Sequence, residues 1–199
     1  MKRLLTTLLV LAAAGGAAHG ASLTRTYSYF SVGGSTLETI EKELGRRGPK
    51  VESTGMRHPG ATEMRFFTDY GLAEKDGRCR VAKATVTVKA KIILPRWTGR
   101  KGADHDTRLI WDTLAGDIKR HEESHALIAK NHARDLEQAM LALPAAKSCA
   151  ELKKKAEKAA DRVLAAHDKA QTDFDRIEGK GFERRLIRLL QYRLERDGG

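Results

Sequence analysis

Hydrophobic and polar positions divide this chain into a strand-rich first half and a helical second half. Ser22–Val32 (SLTRTYSYFSV) is rich in Thr and Tyr and alternates, which predicts a strand. Gly33-Gly34 breaks it. Ser35 and Glu38 then have capping-box spacing and open a helix through about Leu44, closed by Gly45 and Gly48-Pro49. Residues 61–70 and 80–94 have the strongest strand character. In the second, Val81, Thr85 or Val86, Val88 and Ile92 alternate with Lys83, Lys89 and Lys91. Asp76-Gly77 is a turn signal between the two, and Pro95 closes the sheet region.

From Asp106 onward the period becomes helical. Leu109, Ile110, Leu114, Ile118, His121, His125, Ile128 and Leu136 recur at three- and four-residue spacings, and Leu143-Pro144 marks the stop. Ser148 with Glu151 repeats the capping-box spacing and opens a second helix to about Ile177. Gly179 and Gly181 break it, leaving 182–196 as a last basic amphipathic helix with Phe182, Leu186, Leu189 and Leu190 on one side. The expected fold is α+β. A small N-terminal antiparallel sheet with one helix precedes a long antiparallel helical hairpin and a C-terminal helix. There is no internal repeat or low-complexity linker, so residues 21–199 read as one domain.

The first long helix carries His121-Glu122-Glu123-Ser124-His125, which spells H-E-x-x-H. Residues four apart share a helix face, so both imidazoles can meet one metal ion. Glu122 then stands where it can take a proton from a water activated by that ion. This is the zincin pattern: two His ligands, a Glu general base and Zn2+. The bland alternative is a charged, solvated helix face that happens to spell the motif.

Such a site needs a third protein ligand. His132 lies eleven residues beyond His121, roughly 16 Å along a helix, too far for one ion. His167 is the tentative third ligand. It lies eighteen residues after Cys149, as His125 lies eighteen before Leu143, so an antiparallel hairpin brings the two level. A buried structural histidine is its other reading. Glu178 is the alternative ligand. Asp175 and Glu178 lie further along the same helix, and either could ligate or hold a ligating imidazole by its other nitrogen.

Composition changes the picture in three places. Met1-Lys2-Arg3, an apolar run from Leu4 and the small residues up to Gly20 read as a signal peptide spanning 1–20, and no later segment suits a bilayer span. The chain is therefore expected to be secreted, into the periplasm. Two cysteines, Cys79 and Cys149, are expected to form a disulfide there and are too few for a zinc–cysteine cluster. The formal charge of +11 falls by two when Lys2 and Arg3 leave. Its basic residues are interleaved with acids, which reads as solvated faces rather than a specific nucleic-acid site. An anionic envelope polymer is the minority partner.

Taken together, these residues resemble a bacterial family of unknown function described as predicted secreted zinc-dependent proteases. The resemblance rests on Tyr29 through Gly34, Thr36, Gly48-Pro49, Cys79, Leu94-Pro95, Trp97, Trp111, the H-E-x-x-H motif, Leu143-Pro144, Cys149 and Phe174-Asp175. It implies that His121 and His125 are metal ligands, that Glu122 is the catalytic base and that the substrate is a peptide or protein. This chain departs from the pattern at one place. Where the family carries a Thr followed by His-Gly, this sequence has Glu178 and Lys180-Gly181, and a protonated Lys cannot ligate zinc. Two functions follow as expectations: a periplasmic zinc metallopeptidase, or an inactive zincin-fold protein serving as an envelope binding or scaffold protein.

Overall fold

A computed structural model describes residues 20–52 and 54–197. The expected leader therefore lies outside the described residues, apart from Gly20. The architecture is α+β, with a three-stranded sheet, one short helix and two long helices. Strand β1 (Ser22–Val32) leads into helix α1 (Leu37–Arg47), and β2 (Ala61–Lys75) and β3 (Arg78–Trp97) form a long hairpin. Helices α2 (His105–Leu141) and α3 (Cys149–Asp197) follow.

The sheet order is β1-β3-β2. Only the β2–β3 pairing is antiparallel; β1 runs parallel to β3, so the expected all-antiparallel sheet is mixed. The hairpin closes at Asp76 and Gly77, both with positive φ, as a two-residue connection matched to strand twist requires. A bulge at Gly71/Leu72 leaves Ala82 unpaired on β3. It flips the side-chain phase, so that Val81 points inward below it and Ala84, Val86, Val88, Ala90 and Ile92 point inward above it. That resolves the choice between Thr85 and Val86. Pro95 does not close the strand. β2 begins opposite Ile93, and the Thr98 N–H bonds back to β1, so the alternating donors put the missing N–H of Pro95 on the side where no strand remains.

Helix α1 starts one residue later than expected. Thr36 is its N-cap and Thr39 completes the capping box, in place of Ser35 and Glu38. The helix passes through Gly45 and ends at Gly48, where a Cβ would sit 2.1 Å from the His58 carbonyl oxygen. Glycine is required there by close approach of the two backbones.

Helix α2 is capped by Asp104, whose carboxylate accepts the Thr107 N–H. Its buried stripe of Ala129, Ala133, Leu136 and Met140 packs on the inner face of β3, with Leu152 and Ala156 of α3 completing the core. The link between the helices is stitched to the sheet. Ala146 exchanges two backbone hydrogen bonds with Cys79, and Cys79 is disulfide-bonded to Cys149 as expected. The separate C-terminal helix is absent: α3 runs unbroken through Gly179 and Gly181, each costing about 1 kcal/mol relative to Ala. No described helix is long and apolar enough to cross a membrane.

The disulfide closes a loop of 70 residues, which in the chain-entropy account restricts the unfolded state by about 4 kcal/mol. Cys149→Ser, or reduction of the native protein, should lower the unfolding free energy by about 2–4 kcal/mol in urea titrations. An unchanged midpoint with and without reductant would contradict this.

Candidate metal centre

The helical spacing brings His121 Nε2 and His125 Nε2 to 3.1 Å from each other. Asp175, on the facing turn of α3, places Oδ1 at 3.2 Å from His121 Nε2 and 3.0 Å from His125 Nε2. The three donor atoms form a nearly equilateral triangle. A tetrahedral zinc ion with bonds of about 2 Å spaces its ligand atoms about 3.3 Å apart, so the triangle matches one face of such a site. Among the described residues, the other close cluster of this kind is Glu74, Cys79 and Cys149, whose sulfurs are joined to each other. Phe174 stacks on the His121 ring at 4.9 Å and meets the His125 ring edge-on, fixing both ring planes.

The other imidazole nitrogens have partners of their own. His121 Nδ1 lies 3.7 Å from Glu178 Oε2. Glu178 is itself ion-paired to Arg120 and Arg185, and both guanidiniums also reach Asp117. Burial pushes the Asp117 and Glu178 carboxyls up, but the two arginines outweigh it and hold both below the usual range. Glu178, the alternative ligand, is therefore a carboxylate already engaged beside the site. It stands behind His121 rather than among the donors.

His125 Nδ1 is 2.5 Å from Gln171 Oε1. The Gln171 amide nitrogen is within reach of two acceptors, the His125 carbonyl at 3.1 Å and His167 Nε2 at 2.8 Å. His167 Nδ1 faces Asp168 Oδ1 at 3.0 Å. One proton arrangement satisfies every contact. His167 donates to Asp168 and accepts from Gln171, and Gln171 in turn accepts from the His125 Nδ1–H. The lone pair of His125 Nε2 is then left facing the cluster.

His167, the tentative third ligand, lies outside the donor triangle, with its two ring nitrogens on Gln171 and Asp168. It is 6% exposed, packed against Phe66 and His132. Burial pushes its pKa down, in keeping with a neutral ring. Equal counting from the link assumes that the two helices turn round at the same level. The stitching of Ala146 and Cys149 to the sheet lets α3 begin beyond the last turn of α2. The register differs from equal counting by one turn: Gln171 meets His125, and Asp175 reaches both His121 and His125. His132 stays on the helix face as expected, bonded to the Ile128 carbonyl.

Glu122 leans against β2 and also lines both cavities that flank the cluster. It is 5% exposed, and its Oε2 accepts from the Thr62 hydroxyl at 2.9 Å. Burial pushes its pKa up, while the Thr62 bond and His125 pull the other way. Burial also lowers the His121 pKa, and neighbouring His125 adds to that. Two cavities, of about 290 and 190 Å³, flank the cluster and share Thr54, His58, His121, Glu122 and Asp175 in their walls. Thr62, Gly60 and Gln171 carry no local sequence signal for these roles, because each acts across the fold.

An α+β domain that converges two imidazoles and a carboxylate from two antiparallel helices defines a candidate metalloprotein. The chain belongs to a family of bacterial proteins of unknown function (DUF922), which matches residues 27–181. No curated protein and no solved structure matches. The family match spans every residue of the cluster and ends at Gly181.

Gly60 is the tightest point of the site. A Cβ there would lie 2.8 Å from Glu122 Oε1 and 2.9 Å from Ile118 Cγ2. Gly60→Ala should therefore destabilise the fold by about 1–3 kcal/mol through overpacking, read from thermal or urea unfolding. A neutral substitution would show that the loop moves aside freely.

Proposed function

We propose that this protein is a zinc-dependent hydrolase of peptide bonds, with His121, His125 and Asp175 as protein ligands and Glu122 as general base. The observation that carries this reading is the donor triangle, with edges of 3.0, 3.1 and 3.2 Å. Zinc held by such a set supplies Lewis acidity toward a carbonyl oxygen and toward water. Glu122 is fixed by Thr62 and accepts a proton at its carboxylate, then returns it to the departing amine. Gln171 holds His125 by its outer nitrogen, and the Glu178 carboxylate lies 3.7 Å from that of His121, so the inner lone pairs are turned toward each other. Cavities on both sides of the cluster suit an extended chain laid across it, which favours a peptide over a small ester. The Cys79–Cys149 disulfide fits an oxidising compartment and supports export to the periplasm.

Lys180, standing where the resemblance has a His, favours the competing reading of an inactive envelope protein. Asp175 answers it. This residue belongs to the Phe174-Asp175 pair and sits on the same helix, so the loss at 180 leaves a third donor in place. A polyanion-binding role draws on the arginines of 182–196, but Arg185 is spent on Asp117 and Glu178.

The test is metal content and zinc affinity of the mature protein, followed by a peptide-cleavage screen. One zinc per chain is expected, lost in His125→Ala and Asp175→Ala and retained in His167→Ala. Glu122→Gln should keep the metal and lose about 10²–10⁴-fold in kcat. Gln171→Leu should weaken zinc binding about 10–100-fold, measured by chelator competition. A wild type that holds no zinc at micromolar concentration, or a fully active Glu122→Gln, would sink the proposal.

A further inference from the structure

The larger cavity beside the cluster, about 290 Å³, is walled by Pro59, Ile118 and Phe182, with Asp117, Glu178 and Arg185 among its lining. Its charged groups are consumed by one another. Arg185 bonds Asp117 through Nε at 2.9 Å and reaches Glu178 at 3.3 Å, while Arg120 bridges the same two carboxylates. Those two carboxylates and two guanidiniums cancel one another, which leaves Glu122 and Asp175, on the side of the donor cluster, as the other carboxylates in the wall.

Gly179 is the second observation. It lies inside a continuous helix, where glycine is the poorest residue after proline, and it does not end that helix. It lines the cavity, and a Cβ built on it meets nothing within 4 Å. Neither backbone conformation nor close packing calls for glycine here. Gly179 is exposed and contributes only backbone to a lining that it shares with His121, Glu122 and Asp175.

We propose that this cavity is a pocket for one bulky apolar side chain of the substrate, the size of Leu or Phe, kept open by Gly179. The pocket rests on the hydrolase reading given above and adds the substrate class to it. The residue it accepts flanks the scissile bond, because the cavity shares its wall with the donor cluster.

Gly179→Leu tests the pocket without endangering the fold, since it fills open space and raises helix propensity. Zinc affinity is measured first, by chelator competition, and should be unchanged because residue 179 is not a donor. Binding of simple hydroxamates to the zinc-loaded protein is then compared across methyl, isobutyl, benzyl and aminobutyl side groups. The wild type should prefer isobutyl or benzyl over methyl by about 10–200-fold, the range for added methylenes in an apolar pocket. Gly179→Leu should erase that preference, with Gly179→Ala intermediate. Equal binding of all four probes, a preference for the aminobutyl probe, or a preference unchanged in Gly179→Leu overturns the pocket while leaving zinc hydrolysis standing. Failure of the wild type to bind zinc is seen before any hydroxamate is added; it overturns the hydrolase reading, and the pocket with it.

Discussion

The rotation of α2 about its own axis is the constraint on which the site depends. One face of that helix is a stripe of small residues, with Ala126, Ala129 and Ala133 fully buried and the last two packed with Val86 and Val88 of β3. Small side chains let the helix axis approach the sheet closely, and a turn about the axis would drive larger neighbours into Val86 and Val88. Once the rotation is fixed, successive residues of the motif look in different directions. Glu122 faces β2 and meets Thr62, while His121 and His125 face α3. Glu122 and the two histidines are thus held against two different partners by the pitch of one helix.

The second constraint is the register of α3 along α2, and it is set far from the site. Ala146 and Cys149 tie the interhelical link to Cys79 at the start of β3. Moving that anchor by one turn would replace Asp175 opposite His121 with a residue four places away. The disulfide therefore stabilises the fold and also helps select which α3 side chain completes the triangle. Further along, Arg185 and Arg120 clamp α3 to Asp117, so the register is held on both sides of the cluster.

The sequence makes plain whatever is local. H-E-x-x-H specifies its own geometry because four residues are one helical turn, and the Asp76-Gly77 turn specifies the hairpin. The parallel β1 pairing, the bulge at Ala82 and the one-turn register shift are non-local and left no readable mark. That shift places Gln171 between His167 and His125 and brings Asp175 to the two histidines. The glycines show the same divide. Gly77 punctuates the chain as its type predicts, but Gly48 and Gly60 serve close approach to distant backbone or side chains. Gly179 breaks nothing, because tertiary packing of a long helix outweighs one poor helix former.

Charge decides which of the two nearby carboxylates belongs among the donors. Glu178 already faces two guanidiniums, and drawing it toward the imidazoles would strip both arginines of a partner in a half-buried setting. Asp175 touches the two histidines with its Oδ1 and is 55% exposed on the cleft side. Two imidazole lone pairs and a carboxylate oxygen within about 3 Å repel unless a positive charge sits among them. A proton can serve one pair of these atoms at a time. A divalent ion would serve all three at once, and the ring contacts with Phe174 and the Gln171 bond to His125 restrain the two imidazoles. The geometry is thus one that a single proton satisfies only in part, and that is the ground on which the metal proposal stands.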